Sequence, residues 1–267
     1  MAAKPAISST KKSTNSVITR VTSTAKSAHT KIQNMPLVTA VIAEFIGTFL
    51  LVSAIFAVQG QPLYVAFILI GIVLMIGGTS GIYVNPAMTV GAWVTRKIKP
   101  IQAVCYILAQ IFGAVVAWLV LNAFLNGAVE SAALTGQSLF HAATLTSGKE
   151  WTIFFAELLG STILALGIAA AIRAKRSGIK TALTYGFSIL SALLVTGWVT
   201  SMLLTEQNTA LSFLNPAVAI AANGLSWNIW PIAVYIIAPI IGGILGFAIQ
   251  DLLKTKNDDC DCPNCNC

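Results

Sequence analysis

Long apolar runs joined by shorter polar connections dominate the chain. Six runs stand out, at residues 37–58, 63–78, 101–125, 151–172, 181–204 and 229–250. An α-helix needs about 20 apolar residues to cross the hydrocarbon core of a bilayer. The pattern therefore predicts six membrane-spanning helices, the second of them short. Polar positions gather in three main places. Residues 1–35 are rich in Ser, Thr, Ala and Lys, with no acidic residue before Glu44. Such a segment has too little apolar surface to fold alone and reads as a disordered basic tail. Lys dominates it where an organelle transit peptide would favour Arg. Residues 127–149 form a polar mid-chain connection, and residues 254–267 a second, Cys-rich tail.

The apolar pattern breaks twice in the same way. Asn85-Pro86-Ala87 follows the second run and Asn215-Pro216-Ala217 follows the fifth. An Asn side chain accepts hydrogen bonds from the free N–H groups of a helix start. Pro suits the first helical position, where its missing N–H would have no partner. Each tripeptide predicts a short helix that begins abruptly within the membrane pattern. Broken helices at corresponding places in two halves mark a solute path near the bilayer midplane, which predicts a pore or a transporter.

Composition and charge sharpen this reading. Hydrophobic residues make up 56% of the 267 residues and charged residues 9%, against about 25% charged in soluble domains. Of the 16 Lys and Arg residues, only Lys149 lies outside the two tails and the connections after the second and fourth runs. The positive-inside rule makes that basic side cytoplasmic, with both termini there and the plasma membrane as the expected location. The net charge of +7 follows from this topology and favours contact with anionic lipid headgroups. Nucleic-acid binding is excluded for want of a folded basic domain. Nothing suggests an enzyme or a cofactor: His29 lies in the first tail and His141 in the polar connection.

The two halves can be laid over each other. Ala43-Glu44-Phe45-Ile46-Gly47-Thr48 matches Ala156-Glu157-Leu158-Leu159-Gly160-Ser161, and Ala109-Gln110-Ile111-Phe112-Gly113 matches Ala238-Pro239-Ile240-Ile241-Gly242. The Asn-to-Ala spacing is 24 residues in the first half and 23 in the second. Residues 36–126 thus form one three-span repeat and residues 150–253 another. Three is odd, so the second repeat is inverted, and the two short helices meet with their N-termini together. Each N-terminus behaves as about half a positive charge. Asn85 and Asn215 can point side-chain NH2 groups at a passing solute. A neutral hydroxylated molecule accepts those bonds, whereas a cation meets uncompensated positive potential.

Glu44 and Glu157 are the acidic residues within the runs. A charge there costs about 2.5–3.5 kcal/mol on insertion scales, so each needs partners. They read either as a proton relay or as acceptors for free N–H groups in the stretches leading into the half-helices. Their matched positions favour the second role. Cys260, Cys262, Cys265 and Cys267 close the chain in a C-x-C-x2-C-x-C pattern. Four reduced thiols can hold zinc or copper(I), but nothing around them would pack against a metal, and an unstructured thiol-rich tail is the simpler reading.

The paired Asn-Pro-Ala motifs, the repeated Glu, and the stretches Ser80-Gly81-Ile82-Tyr83-Val84-Asn85 and Phe213-Leu214-Asn215 resemble the major intrinsic protein family, the aquaporins and aquaglyceroporins. The resemblance covers about residues 36–253. It implies an all-α membrane fold of six spans and two re-entrant half-helices in two inverted repeats. It also implies a homotetramer with a pore in each subunit, and Glu residues that brace the loops.

The departures bear on the permeant. The family's constriction Arg, which follows the second Asn-Pro-Ala, is here Val218, and Ser212 stands three residues before Asn215. The other two constriction positions fall on Val65 and on Leu193, with Ala192 as the alternative to Leu193. Those four residues carry neither an aromatic ring nor a charge. Tyr83 replaces the family's usual His and either narrows the cytoplasmic vestibule or packs there. The expectation is a passive channel for water and small neutral solutes such as glycerol-like polyols, ammonia or hydrogen peroxide, with reduced preference for water. The competing readings are a non-conducting scaffold on the same fold and a secondary transporter.

Overall fold

A computed structural model describes residues 36–127, 140–173, 178–204 and 209–253. The basic tail at 1–35 and Cys260, Cys262, Cys265 and Cys267 lie outside the described residues. The described residues from Ala40 onward form one compact unit.

The described residues are largely helical: α1 Pro36–Ala57, α2 Pro62–Ile76, α3 Pro86–Val94, α4 Pro100–Gly127, α5 Glu150–Arg173, α6 Gly178–Ser201 and α7 Pro216–Ala221. A last span, Ile229–Leu252, is built from α8 Ile229–Ile232, a π-helical turn Ala233–Ile237 and α9 Ala238–Leu252. Five of these, α1, α4, α5, α6 and the composite last span, are long and apolar enough to cross a membrane. Helix α2 has 15 residues, about 22 Å of helix. It stops at Ile76, short of the predicted 78, and the chain continues non-helically to the first Asn-Pro-Ala. Two-residue strands β1 His141–Ala142 and β2 Thr209–Ala210 pair in parallel. They tie the mid-chain connection to the approach to α7.

The repeat is visible in the packing. Gly113 of α4 lies against α1 so closely that a Cβ would sit 2.5 Å from the Phe45 carbonyl oxygen. Gly242 of α9 meets the Leu158 carbonyl oxygen of α5 at the same 2.5 Å. Gly47 leaves room for the Val84 side chain, and Gly160 for that of Leu214. These glycines allow backbones to approach where lipid supplies no hydrophobic drive to association.

One of the matched pairs that differ changes the backbone. Gln110 in α4 corresponds to Pro239 in α9. Pro has no N–H to give to the carbonyl four residues back, and its ring crowds that turn. The π-helical turn precedes it, with the Ala238 N–H reaching back to the Ala233 carbonyl. Such bulges absorb a break in the helical ladder.

Candidate functional site

The two half-helices start against each other. The Ala87 N–H donates to Asn85 Oδ1 at 2.9 Å and the Ala217 N–H to Asn215 Oδ1 at 3.0 Å. Each Asn caps its own helix. Each Asn Nδ2 then donates across the junction, Asn85 to the Leu214 carbonyl at 2.8 Å and Asn215 to the Val84 carbonyl at 2.9 Å. An amide NH2 has two hydrogens. One is spent on this reciprocal brace and one remains for a solute, where the sequence reading left both free.

The stretches entering the half-helices carry left-handed backbone at Ile82, Val84 and Leu214, with φ of 45°, 43° and 57°. Such conformations cost non-glycine residues on the order of 1–3 kcal/mol each. The buried carboxylates hold them. Glu44 accepts from the Tyr83 N–H (2.9 Å), the Val84 N–H (2.7 Å), Ser80 Oγ (2.8 Å) and Gln110 Nε2 (2.8 Å). Glu157 accepts from the Phe213 and Leu214 N–H groups. Pro239, the counterpart of Gln110, has no side-chain donor to offer it.

Two cavities lie on this axis. A chamber of about 380 Å³ opens on the side of the β1–β2 pair. Val65, Leu193, Ser212 and Val218 all line it, with Gln59, Thr196, Thr200, Phe140, Trp198 and Phe213 among the other lining residues. Ala192 is fully buried and is not among the lining residues, whereas Leu193 is. A smaller cavity of about 20 Å³ is lined by Asn85, Asn215, Tyr83, Val84 and Tyr185. That is room for about one water. Tyr83 packs on Tyr106 and Phe247, with ring centroids 6.2 and 6.5 Å away. The Tyr185 hydroxyl donates to the Gly81 carbonyl at 2.7 Å.

Aromatic rings stand beside the four constriction residues. Phe140, from the mid-chain connection, packs edge-on against Phe56 and Phe213 and forms part of the chamber wall. The signal for it was a lone Phe in an otherwise polar segment. Among the described residues that line the chamber none is charged. Among the described residues no His, Cys, Asp and Glu cluster could hold a metal.

The family model described as Major intrinsic protein matches residues 31–249. The chain belongs to that family. It is 32% identical over 218 residues to "Glycerol uptake facilitator protein-like 6" of Lactiplantibacillus plantarum, covering 76% of this chain and 93% of the relative. It is 30% identical over 184 residues to aquaporin AqpM of Methanothermobacter thermautotrophicus, covering 68% and 71%. The aquaglyceroporin structure from Plasmodium falciparum superimposes with a TM-score of 0.64 at 20% identity, over 84% of this chain and 99% of that one. The fold is aquaporin-like and the protein is an integral membrane protein. As a major intrinsic protein it is a passive channel for water or small solutes, not an enzyme.

Proposed function

We propose that this major intrinsic protein conducts small neutral solutes, glycerol-like polyols, ammonia or hydrogen peroxide, alongside water, with less preference for water than a constriction holding Arg would give. The observation that carries this is a chamber whose described lining residues are all uncharged, with Val218 at the position that follows the second Asn-Pro-Ala. Arg would offer a fixed charge and several donors there, whereas Val offers neither and occupies less space. Val65, Leu193, Ser212 and Val218 are the proposed outer constriction. Asn85 and Asn215 present one donor each to the permeant at the midplane. Tyr83 narrows the opposite, cytoplasmic side, and Glu44 and Glu157 brace the re-entrant loops. The channel assembles as a homotetramer in the plasma membrane with both termini cytoplasmic, as the family resemblance and the basic connections suggest.

Stopped-flow light scattering on proteoliposomes tests this reading with an osmotic step in sucrose and then in glycerol. The expected result is fast shrinkage in sucrose and fast re-swelling in glycerol. Val218→Arg is expected to suppress the re-swelling while shrinkage persists. Wild-type vesicles that shrink quickly and never re-swell would make this a water channel despite Val218.

A further inference from the structure

The four proposed constriction residues do not share one level of the path. Val65, Leu193 and Ser212 line the large chamber alone, whereas Val218 lines both the chamber and the midplane cavity. Three other residues line both, namely Ile55 of α1, Ile189 of α6 and Phe213. Together these four surround the neck between the cavities, and each is at most 7% exposed. Their side chains carry no hydrogen-bonding group, and the Phe213 N–H is already given to Glu157.

We infer that the selectivity barrier of this channel is a collar of Ile55, Ile189, Phe213 and Val218, set inward of Val65, Leu193 and Ser212, and that it ranks neutral solutes by how many hydrogen bonds they must surrender. This rests on the reading that the protein conducts neutral solutes, and it adds which residues choose among them. A solute in the chamber still meets exposed polar side chains such as Gln61 and Ser201. In the collar the side chains offer it only carbon, and a polar group without a partner costs free energy. The Asn85 and Asn215 amides lie beyond, in the midplane cavity. Each additional hydroxyl on a solute therefore raises the barrier. Of two solutes with the same carbon skeleton, the one with fewer hydroxyls crosses faster.

The test compares 1,2-propanediol with glycerol in proteoliposomes of the full chain, after subtracting the empty-vesicle rates. Wild-type protein is expected to favour the diol. With Ile189→Val as the control for the carbon lost at that position, Val218→Thr and Ile189→Thr each place a hydroxyl in the collar. Each is expected to raise the glycerol-to-diol ratio by roughly two- to tenfold, the value of about one hydrogen bond. The same hydroxyl in the chamber, Val65→Thr, is expected to shift the ratio several-fold less. Two collar variants keep the test usable if one of them misfolds. A shift at Val65→Thr equal to or larger than the collar shifts overturns the collar and leaves the neutral-solute reading standing. Wild-type vesicles that pass neither diol nor glycerol above the empty-vesicle rate overturn that reading and the collar with it.

Discussion

At the scale of single residues, the two buried glutamates do the same job with unequal support. Glu44 takes four donors, two from backbone and two from the side chains of Ser80 and Gln110. Glu157 takes two backbone donors, at Phe213 and Leu214. A hydrogen bond to a charged group contributes about 1.5–3 kcal/mol. Replacing either carboxylate by an amide turns one acceptor into a donor and sets it against donors already in place. Glu44→Gln confronts two of them, the Val84 N–H and the Gln110 amide, and should lower stability more than Glu157→Gln. Both should lower it, because left-handed Val84 and Leu214 lose a restraint. Thermal unfolding in detergent, followed by tryptophan fluorescence, reads the order. A brace predicts that neither variant alters the response of solute flux to a proton gradient. A relay predicts that both do, and that result would remove the bracing role.

At the scale of elements, the short helix α3 meets α9 through close backbone contact. A Cβ on Gly243 of α9 would lie 2.4 Å from the Ala87 carbonyl oxygen, and one on Gly91 of α3 would lie 2.6 Å from the Gly243 oxygen. Gly243→Ala should push α3 away from α9, cost about 1–3 kcal/mol through overpacking, and disturb the Asn85–Leu214 brace. Gly71→Ala on α2 meets open space and should be neutral or slightly stabilising, since Gly in a helix interior costs up to about 1 kcal/mol relative to Ala. Comparing unfolding midpoints and solute flux for the two variants checks this. A Gly243→Ala protein indistinguishable from wild type would mean that the contact has slack. The sequence made the start of α3 plain, because an Asn cap followed by Pro is a local signal. The same holds for the paired Glu and Gly positions, which repeat along the chain. The wall of the path was harder to read. A span that is apolar all round carries no stripe to say which face looks inward. Ile55 and Ile189 therefore look like any other spanning residue, and Leu193 could not be separated from Ala192. Phe140 joins the site only through the β1–β2 pairing, a non-local contact. The π-helical turn before Pro239 depends on how a lost backbone bond is absorbed, which the residue alone does not specify.

At the scale of the whole molecule, the proposed channel would exclude ions where two half-helices meet. Helices α3 and α7 point their N-termini at one junction, each equivalent to about half a positive charge. The Val84 and Leu214 carbonyls there each accept a hydrogen bond from the opposite Asn. The two nearby carboxylates are completely buried and turned toward the loops they hold. A cation in the midplane cavity thus meets positive potential without a facing carboxylate. With Val218 in the position after the second Asn-Pro-Ala, no charge among the described lining residues reinforces that barrier from the chamber. If the half-helices suffice, wild-type vesicles should show proton flux at the empty-vesicle level, measured with an entrapped pH dye under a potassium diffusion potential. Asn85→Asp keeps an oxygen that can cap α3 but places a negative charge at the junction, which should cancel the local potential and raise cation flux several-fold. The fold of the variant is checked by its elution volume in detergent. Wild-type vesicles that leak protons would show that two half-helix dipoles are not enough without an Arg. In that case Val218→Arg should close the leak, which would assign the missing barrier to the chamber rather than to the midplane.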